Sequence, residues 1–187
     1  MGEMNPVSRY FVNFSTTRRA VHVLNALETG FRLPPSSRVL ELGAGRGGLS
    51  ALLQERYRPS HLTVTDFDPH QVDAARRYLT QRFGSLPSTI ELRQADAKAL
   101  PFDDRAFDCV FAIMMLHHVE DHHSEYLLRP IALKEIRRVL STGGNLVYMD
   151  FSRTEELRGT LSELGFTCLF RRRRWPRREL AVFRSSF

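Results

Sequence analysis

The chain has 187 residues, of which 42% are hydrophobic and 26% charged, so its composition predicts a single globular domain with a substantial core. Its longest apolar run, residues 109–116, is too short to span a bilayer, and no apolar secretion signal stands near residue 1, which favours a cytoplasmic protein. The net charge of +6 equals the balance of residues 166–187 alone, which hold seven arginines and one glutamate.

Helical and strand-like segments alternate along the chain. Residues 16–30 place four apolar side chains on one helical face: Ala20, Val23, Leu24 and Leu27. The other predicted helices are residues 47–57, 69–84, 130–140 and 154–165. The predicted strands are residues 38–43, 61–68, 89–96, 107–115, 145–151, 166–174 and 179–185. Cys109 and Cys168 lie in two of these strands, which predicts buried, reduced thiols.

The order of these segments predicts an α/β fold. Alternating helices and apolar strands are typical of a parallel, doubly wound sheet that helices cover on both faces. The last two strands are separated only by a short turn around Trp175 and Pro176, and so must form an antiparallel hairpin. We therefore expect one domain with seven, mostly parallel strands. Its parts are an N-terminal helical lid (1–37), a core (38–150) and a C-terminal helix with the hairpin (151–187).

A glycine-rich loop follows the first predicted strand, in the stretch "VLELGAGRGG" at residues 39–48. Its spacing satisfies the dinucleotide fingerprint, and Asp66 stands where a ribose-binding acid belongs. Glu41 precedes the loop, however, and a carboxylate there would repel a pyrophosphate. A cofactor with a sulfonium and an ammonium group, S-adenosylmethionine, fits that charge better than NAD. The alternative interpretation of Glu41 is an ordinary surface acid at a strand end.

Four ordered motifs resemble those of the class I S-adenosylmethionine-dependent methyltransferases, of the small methyltransferase-domain type. They are "VLELGAGRGG", "VTDFDPHQVDAARRYL", "QADAKALPFDDRAFDCVFAIMMLHHV" and "LSTGGNLVYMD". The resemblance covers about residues 38–150 and implies a class I methyltransferase fold. It also implies that S-adenosylmethionine is the cofactor and S-adenosylhomocysteine the product.

The resemblance assigns residues to each part of the cofactor. Asp66 would accept hydrogen bonds from both ribose hydroxyls, and Phe67 would pack on the adenine. Asp96 would accept a hydrogen bond from the adenine amino group, next to a backbone contact from Ala97. Glu41 would lie near the ammonium group. The residues placed against the methionine part are Gly43, Ala44, Gly45, Gly47, Ala112 and Ile113.

The histidines after the fourth strand are the candidates for catalysis. His117 is the residue that we expect to touch the methyl acceptor, because imidazole can take up a proton near neutral pH. The alternative is that "LHHV" only shapes the loop. His118 and His122 are spaced like two metal ligands, but no third ligand follows at a defined spacing, so we predict no metal site.

The same region helps to define the acceptor. The chain lacks the Asn/Asp-Pro-Pro-aromatic element that holds a flipped base after strand four, and Cys109 lies too far inside its strand to act as a nucleophile. Little chain lies outside the core to recognise a polymer. A small-molecule or lipid-like acceptor is therefore expected, with Tyr10, Phe11 or Arg18 of the lid in reach of it.

The arginine run at residues 171–178 leaves two interpretations open. Arginines on the hairpin can protect an edge strand from pairing with other chains, or they can bind an anionic partner, meaning an acidic substrate, a membrane surface or RNA. At most two of Arg171 to Arg174 can share a face of a regular strand. The competing functions are an RNA-associated methyltransferase or RNA-binding protein, and a cofactor-binding scaffold without activity.

Overall fold

The computed structural model describes residues 18–119, 129–151, 154–174 and 178–186. Within these ranges, no helix combines the length and the apolar character that crossing a membrane requires. The chain divides into two compact units, residues 1–95 and 96–187. Each unit contributes its own part of the α/β architecture.

The first unit holds three parallel strands in the order β3-β2-β1. Its strands are β1 (Arg38–Leu42), β2 (His61–Asp66) and β3 (Ile90–Gln94). Its helices are α1 (18–27), α2 (Gly48–Tyr57) and α3 (Pro69–Phe83). The four apolar residues predicted for one face of α1 are all buried, which confirms the periodicity of that segment.

Local chemistry explains where α3 begins and ends. Asp68 precedes the helix in an extended conformation, and its side chain accepts a hydrogen bond from the His70 backbone N–H. Pro69 occupies the first helical position, where its missing N–H costs nothing. Gly84 follows the last turn with φ 81°. The helix therefore starts directly after β2 and leaves Asp66 at the strand end.

The second unit holds four strands in the order β4-β5-β7-β6. The strands are β4 (Phe107–Ile113), β5 (Leu140–Phe151), β6 (Phe166–Arg174) and β7 (Arg178–Ser185). The helices are α4 (Arg129–Val139) and α5 (Thr154–Glu163), and a 3-10 turn spans Leu116–His118. β4 and β5 are parallel, whereas β7 runs antiparallel to both β5 and β6. The predicted α/β class, its seven strands and its C-terminal hairpin are confirmed.

Two features of the second unit differ from the sequence prediction. β5 begins at Leu140, five residues earlier than expected, because Leu140 pairs with Phe107 before the Ser-Thr-Gly-Gly segment. The residues of that segment have no partners in the β4–β5 ladder, and pairing with β4 resumes at Asn145. The prediction of a buried thiol is correct for Cys109 but wrong for Cys168. Cys168 lies at a register shift of β6, which among the described strands is at the edge of the sheet and pairs on one side only, with β7.

Candidate active site

The glycine loop connects β1 to α2 through left-handed backbone. Gly45 has φ +57°, and a Cβ added there would meet no atom within 4 Å, so the loop faces open space at this position. Gly47 has φ +78°, and a Cβ there would lie 3.3 Å from Cβ of Ala75 in α3. Glycine at residue 47 therefore serves the close packing of α2 on α3, whereas glycine at residue 45 keeps the front of the loop open.

Glu41 lies behind this loop and is buried, with 3% of its surface exposed. The Ser50 hydroxyl of α2 donates a hydrogen bond to its Oε2 at 2.5 Å, and the Thr65 hydroxyl donates to its backbone carbonyl at 2.8 Å. Burial raises the pKa of Glu41 to about 8, the Ser50 hydrogen bond opposes that rise, and the charge of Asp66 adds to it. The interpretation of Glu41 as an exposed surface acid is wrong.

Asp66 ends β2 beside the same loop. Its Oδ2 accepts the Gly45 N–H at 2.9 Å, and its Oδ1 accepts the Asp68 N–H at 3.0 Å. Burial raises the pKa of Asp66, and these backbone donors partly offset the rise. Each carboxylate oxygen has a second lone pair for a further donor, such as a hydroxyl. Phe67, the next residue, is half-buried. The first unit thus brings Glu41, Asp66 and the glycine loop together.

The remaining predicted cofactor residues belong to the second unit. Asp96 is half-buried, its Oδ1 accepts the Lys98 N–H at 2.9 Å, and its Oδ2 lies 3.6 Å from the Lys98 ammonium. Ala97 is buried beside it. Ala112 is fully buried and Ile113 half-buried in the last two positions of β4. Their predicted roles toward the cofactor stay predictions.

His117 is held by a carboxylate of β5. Its Nδ1 lies 2.6 Å from Asp150 Oδ1, and its backbone N–H donates to Asp150 Oδ2 at 3.0 Å. Asp150 is buried, whereas a quarter of the His117 side chain is exposed. The His118 ring lies 3.9 Å from the His117 ring, centre to centre, and desolvation together with the charge of His117 lowers the pKa of His118. His117 is thus the histidine that a buried acid orients.

Two polar partners in these clusters were not predicted. Ser50 follows the glycine loop by one helical turn, a position that sequence alone does not connect to Glu41. Asp150 is 33 residues from His117, and the sequence analysis includes it only as the last residue of the motif "LSTGGNLVYMD". An acid at the end of a strand is the signal that could have identified Asp150, since the same signal predicts Glu41, Asp66 and Asp96.

Three residues that the sequence analysis considers fall outside the described residues. Tyr10 and Phe11 precede residue 18, and His122 lies in the interval 120–128. In the part of the chain that the structure describes, no group of three His, Cys, Asp or Glu side chains is arranged to hold a metal ion. Arg18, the first described residue, is exposed at the start of α1.

The sequence of this chain matches a known protein family. The family model described as "Methyltransferase domain" matches residues 39–144, more than half of the chain. The chain belongs to the methyltransferase domain family. The matched range of this methyltransferase domain includes the glycine loop, the acids at the ends of β1 and β2, and His117.

Curated relatives and solved structures agree with this assignment. The domain is 33% identical over 150 residues, 79% of the chain and 59% of the relative, to a demethylmenaquinone methyltransferase from Thermus thermophilus. It is 35% identical over 120 residues, 64% of the chain and 42% of the relative, to a probable phthiotriol/phenolphthiotriol dimycocerosates methyltransferase from Mycobacterium ulcerans. The chain thus spans about half the length of these relatives.

A solved structure shows that the fold is shared over almost the whole chain. A SAM-dependent methyltransferase from Aquifex aeolicus superposes with a TM-score of 0.78, covering 97% of this chain and 99% of that one at 15% identity. The family assignment confirms the prediction of S-adenosylmethionine as cofactor of this methyltransferase domain.

The first unit provides a test of whether the residues fit that cofactor. The buried Glu41 has a pKa raised by desolvation, and a neighbouring cation would lower it again by stabilising the ionised form. A pyrophosphate would add negative charge to a site that already holds Glu41 and Asp66. The open space before Gly45 and the second lone pairs of Asp66 suit a ribose. The two carboxylates and the open glycine loop therefore fit a cationic nucleoside cofactor.

Proposed function

We propose that this domain transfers the methyl group of S-adenosylmethionine to a small-molecule or lipid-like acceptor, with His117 as the general base. The observation that carries the catalytic part is the contact of 2.6 Å between His117 Nδ1 and Asp150 Oδ1. A buried carboxylate in this position favours the tautomer with hydrogen on Nδ1 and leaves Nε2 as the proton acceptor.

In this proposal, residues of the chain bind each part of the cofactor. Glu41 balances the positive charge of the cofactor, and Asp66 accepts hydrogen bonds from its ribose. Asp96 and Ala97 contact its adenine. When bound, S-adenosylmethionine supplies a methyl group on a sulfonium and leaves as a neutral thioether, S-adenosylhomocysteine. The other residues proposed to contact it are Gly43, Ala44, Gly45, Gly47, Phe67, Ala112 and Ile113.

His117 acts on the acceptor. An oxygen, nitrogen or acidic carbon that receives a methyl group must lose a proton, and Nε2 of His117 accepts it. Asp150 then stabilises the imidazolium that forms, since its carboxylate already lies against Nδ1. Because the methyl carbon is already activated, alignment and exclusion of water supply the rest of the acceleration. Loss of the base therefore slows the reaction without abolishing cofactor binding.

The relatives support a small-molecule or lipid-like acceptor. One is named for demethylmenaquinone and the other for phthiotriol/phenolphthiotriol dimycocerosates, and neither name refers to a nucleic acid or a protein. Both relatives are longer than this chain, so their acceptors indicate a chemical class only. A quinol or phenol hydroxyl, or the ring carbon beside it, is the kind of atom that a histidine base activates.

The test uses purified protein, S-adenosylmethionine with a labelled methyl group, and a short-chain demethylmenaquinol in detergent as the probe. We expect transfer by the unchanged protein and a fall of about 100-fold in H117A, the range for loss of a general base. The affinity for S-adenosylhomocysteine should stay within twofold. H61A, which removes an exposed histidine paired with Glu91, is the matched control.

Three results would contradict the proposal. Absence of S-adenosylmethionine and S-adenosylhomocysteine binding would exclude the enzyme and the silent scaffold alike. Cofactor binding that falls in H117A, with an unchanged rate at saturation, would place His117 in the cofactor pocket instead. Binding without transfer to quinols, phenols or amines would favour the scaffold.

A further inference from the structure

Three arginines of the second unit meet at one buried carboxylate. Glu179 is 3% exposed, and its Oε2 lies 2.8 Å from Nε of Arg171, 3.5 Å from Nη2 of Arg158 and 3.8 Å from Nε of Arg173. Arg171 and Arg173 come from β6 and Arg158 from α5. Arg171 and Arg173, two residues apart on β6, reach the same oxygen and therefore share a face, as strand alternation predicts. We call Glu179 and these arginines the Glu179 cluster.

The charge of the Glu179 cluster is not balanced within itself. Three guanidinium groups face one carboxylate, so the cluster carries a net charge of +2. Arg173 keeps 68% of its side chain exposed, and Arg171 and Arg158 keep about a third each. The buried Nε–H of Arg158 has no hydrogen-bond partner among the described residues. Like charges that converge on one oxygen repel each other, and a second anion would relieve that repulsion.

The cluster lies beside the proposed base. Asp150 of β5 and Glu179 of β7 are directly opposite each other in the antiparallel ladder, so their side chains share a face of the sheet. Arg173 is in turn the ladder partner of Glu179. Asp150 orients His117 at this same strand end. One row across three strands therefore runs from the His117–Asp150 pair to the arginines, at a spacing of about 4.8 Å per strand.

We propose that the Glu179 cluster binds an anionic group, a carboxylate or a phosphate, carried by the methyl acceptor itself. This inference rests on the proposed function, because it takes the reacting atom to lie at His117. Along this row, the arginines lie one to two strands away from the His117–Asp150 pair. The anionic group and the reacting atom are therefore about 5–10 Å apart, a distance that one substituted ring spans. Guanidinium groups bind both kinds of oxyanion through paired N–H donors.

The test measures binding of two small probes in the presence of S-adenosylhomocysteine. The first is 4-hydroxyphenylacetate, which places a hydroxyl and a carboxylate across one ring, and the second is its neutral amide. We expect the acid to bind at least tenfold more tightly than the amide, the usual worth of a charge-assisted contact. Inorganic phosphate should compete with the acid but leave the weak binding of the amide unchanged.

Three variants assign the effect to the cluster. R173Q and R158Q should each lower the affinity for the acid about tenfold. R172Q is the matched control, because Arg172 is exposed on the same strand, loses the same charge, and points to the opposite face. Its affinity should stay within twofold. Arg173 is the most exposed of the three arginines, so R173Q remains informative if R158Q fails to fold.

Several outcomes overturn the inference. The acid and amide binding equally, R172Q losing as much affinity as R173Q, or phosphate failing to compete would each do so. Binding restricted to phosphatidylglycerol vesicles would assign the arginines to a membrane surface, and binding restricted to a single-stranded RNA oligonucleotide would assign them to RNA. Failure of S-adenosylhomocysteine to bind refutes the proposed function, whereas normal cofactor binding without acid binding refutes this inference alone.

Discussion

Replacing Glu41 by Gln should make the free protein more stable at neutral pH. The pKa of Glu41 is about 8 in the folded protein because of burial, against 4.5 when the chain is unfolded. Unfolding between these two pH values releases a proton, so the stability of the unchanged protein falls as the pH rises, by about 1.4 kcal/mol per unit. Glutamine has the same shape, does not titrate and keeps an oxygen to accept the Ser50 hydroxyl.

The magnitude follows from the width of that pH window. Between pH 5.5 and pH 7.5 the stability difference between E41Q and the unchanged protein should grow by about 3 kcal/mol in favour of E41Q. The growth should stop above about pH 8, where Glu41 is ionised in both states. Below pH 4.5 the difference should be constant, because the carboxyl is protonated in both states.

Urea unfolding curves of both proteins, recorded at half-unit intervals from pH 4 to pH 9, measure this difference. E163Q, which changes an exposed glutamate at the end of α5, is the control, and its difference should stay within about 0.5 kcal/mol throughout. A difference between E41Q and the unchanged protein that does not vary with pH would show that Glu41 is already ionised in the fold.

Four further results are expected. Calorimetry should show binding of S-adenosylmethionine and none of NAD; the opposite preference would refute the charge argument. D66A should bind S-adenosylhomocysteine about 100-fold more weakly, since about 3 kcal/mol of hydrogen bonding to a charged acceptor is lost; unchanged affinity would mean that Asp66 does not bind the ribose. D150N should slow transfer to demethylmenaquinol at least tenfold and shift the lower limb of its pH profile, with cofactor affinity unchanged; a pH profile like that of the unchanged protein would reduce Asp150 to a structural role. G47A should lower the free energy of unfolding by about 1–3 kcal/mol, because its φ is +78° and the added Cβ meets Ala75 at 3.3 Å; a neutral result would show that α2 and α3 adjust freely.

The parts of the site that sequence predicts are those fixed by local chain order. An acid that ends a buried strand must lie at the carboxyl edge of a parallel sheet, which is why Glu41 and Asp66 could be found without coordinates. The position of Gly45 at the same edge is predictable too, because its loop directly follows the first strand. Cysteine burial at residue 109 follows from a continuous apolar strand.

Contacts between distant segments could not be predicted in this way. Asp150 and His117 meet only because β5 lies next to β4 and the 3-10 turn folds back over the end of β5. Predicting the Glu179 cluster would require both the register of the β6–β7 hairpin and the position of α5. The start of β5 was misplaced because a Gly-Gly pair predicts a turn, and one ladder partner before it cannot be recognised from sequence.

The two cysteines of the chain, one buried in β4 and one exposed on β6, provide a built-in reporter of strand opening. A maleimide reagent reaches Cys168 at once, and that fast reaction calibrates the intrinsic rate of a surface thiol. Cys109 is fully buried and burial raises its pKa, so it reacts only when β4 separates from its neighbours. The ratio of the two labelling rates therefore gives, without any mutation, the free energy of opening the strand that leads to His117.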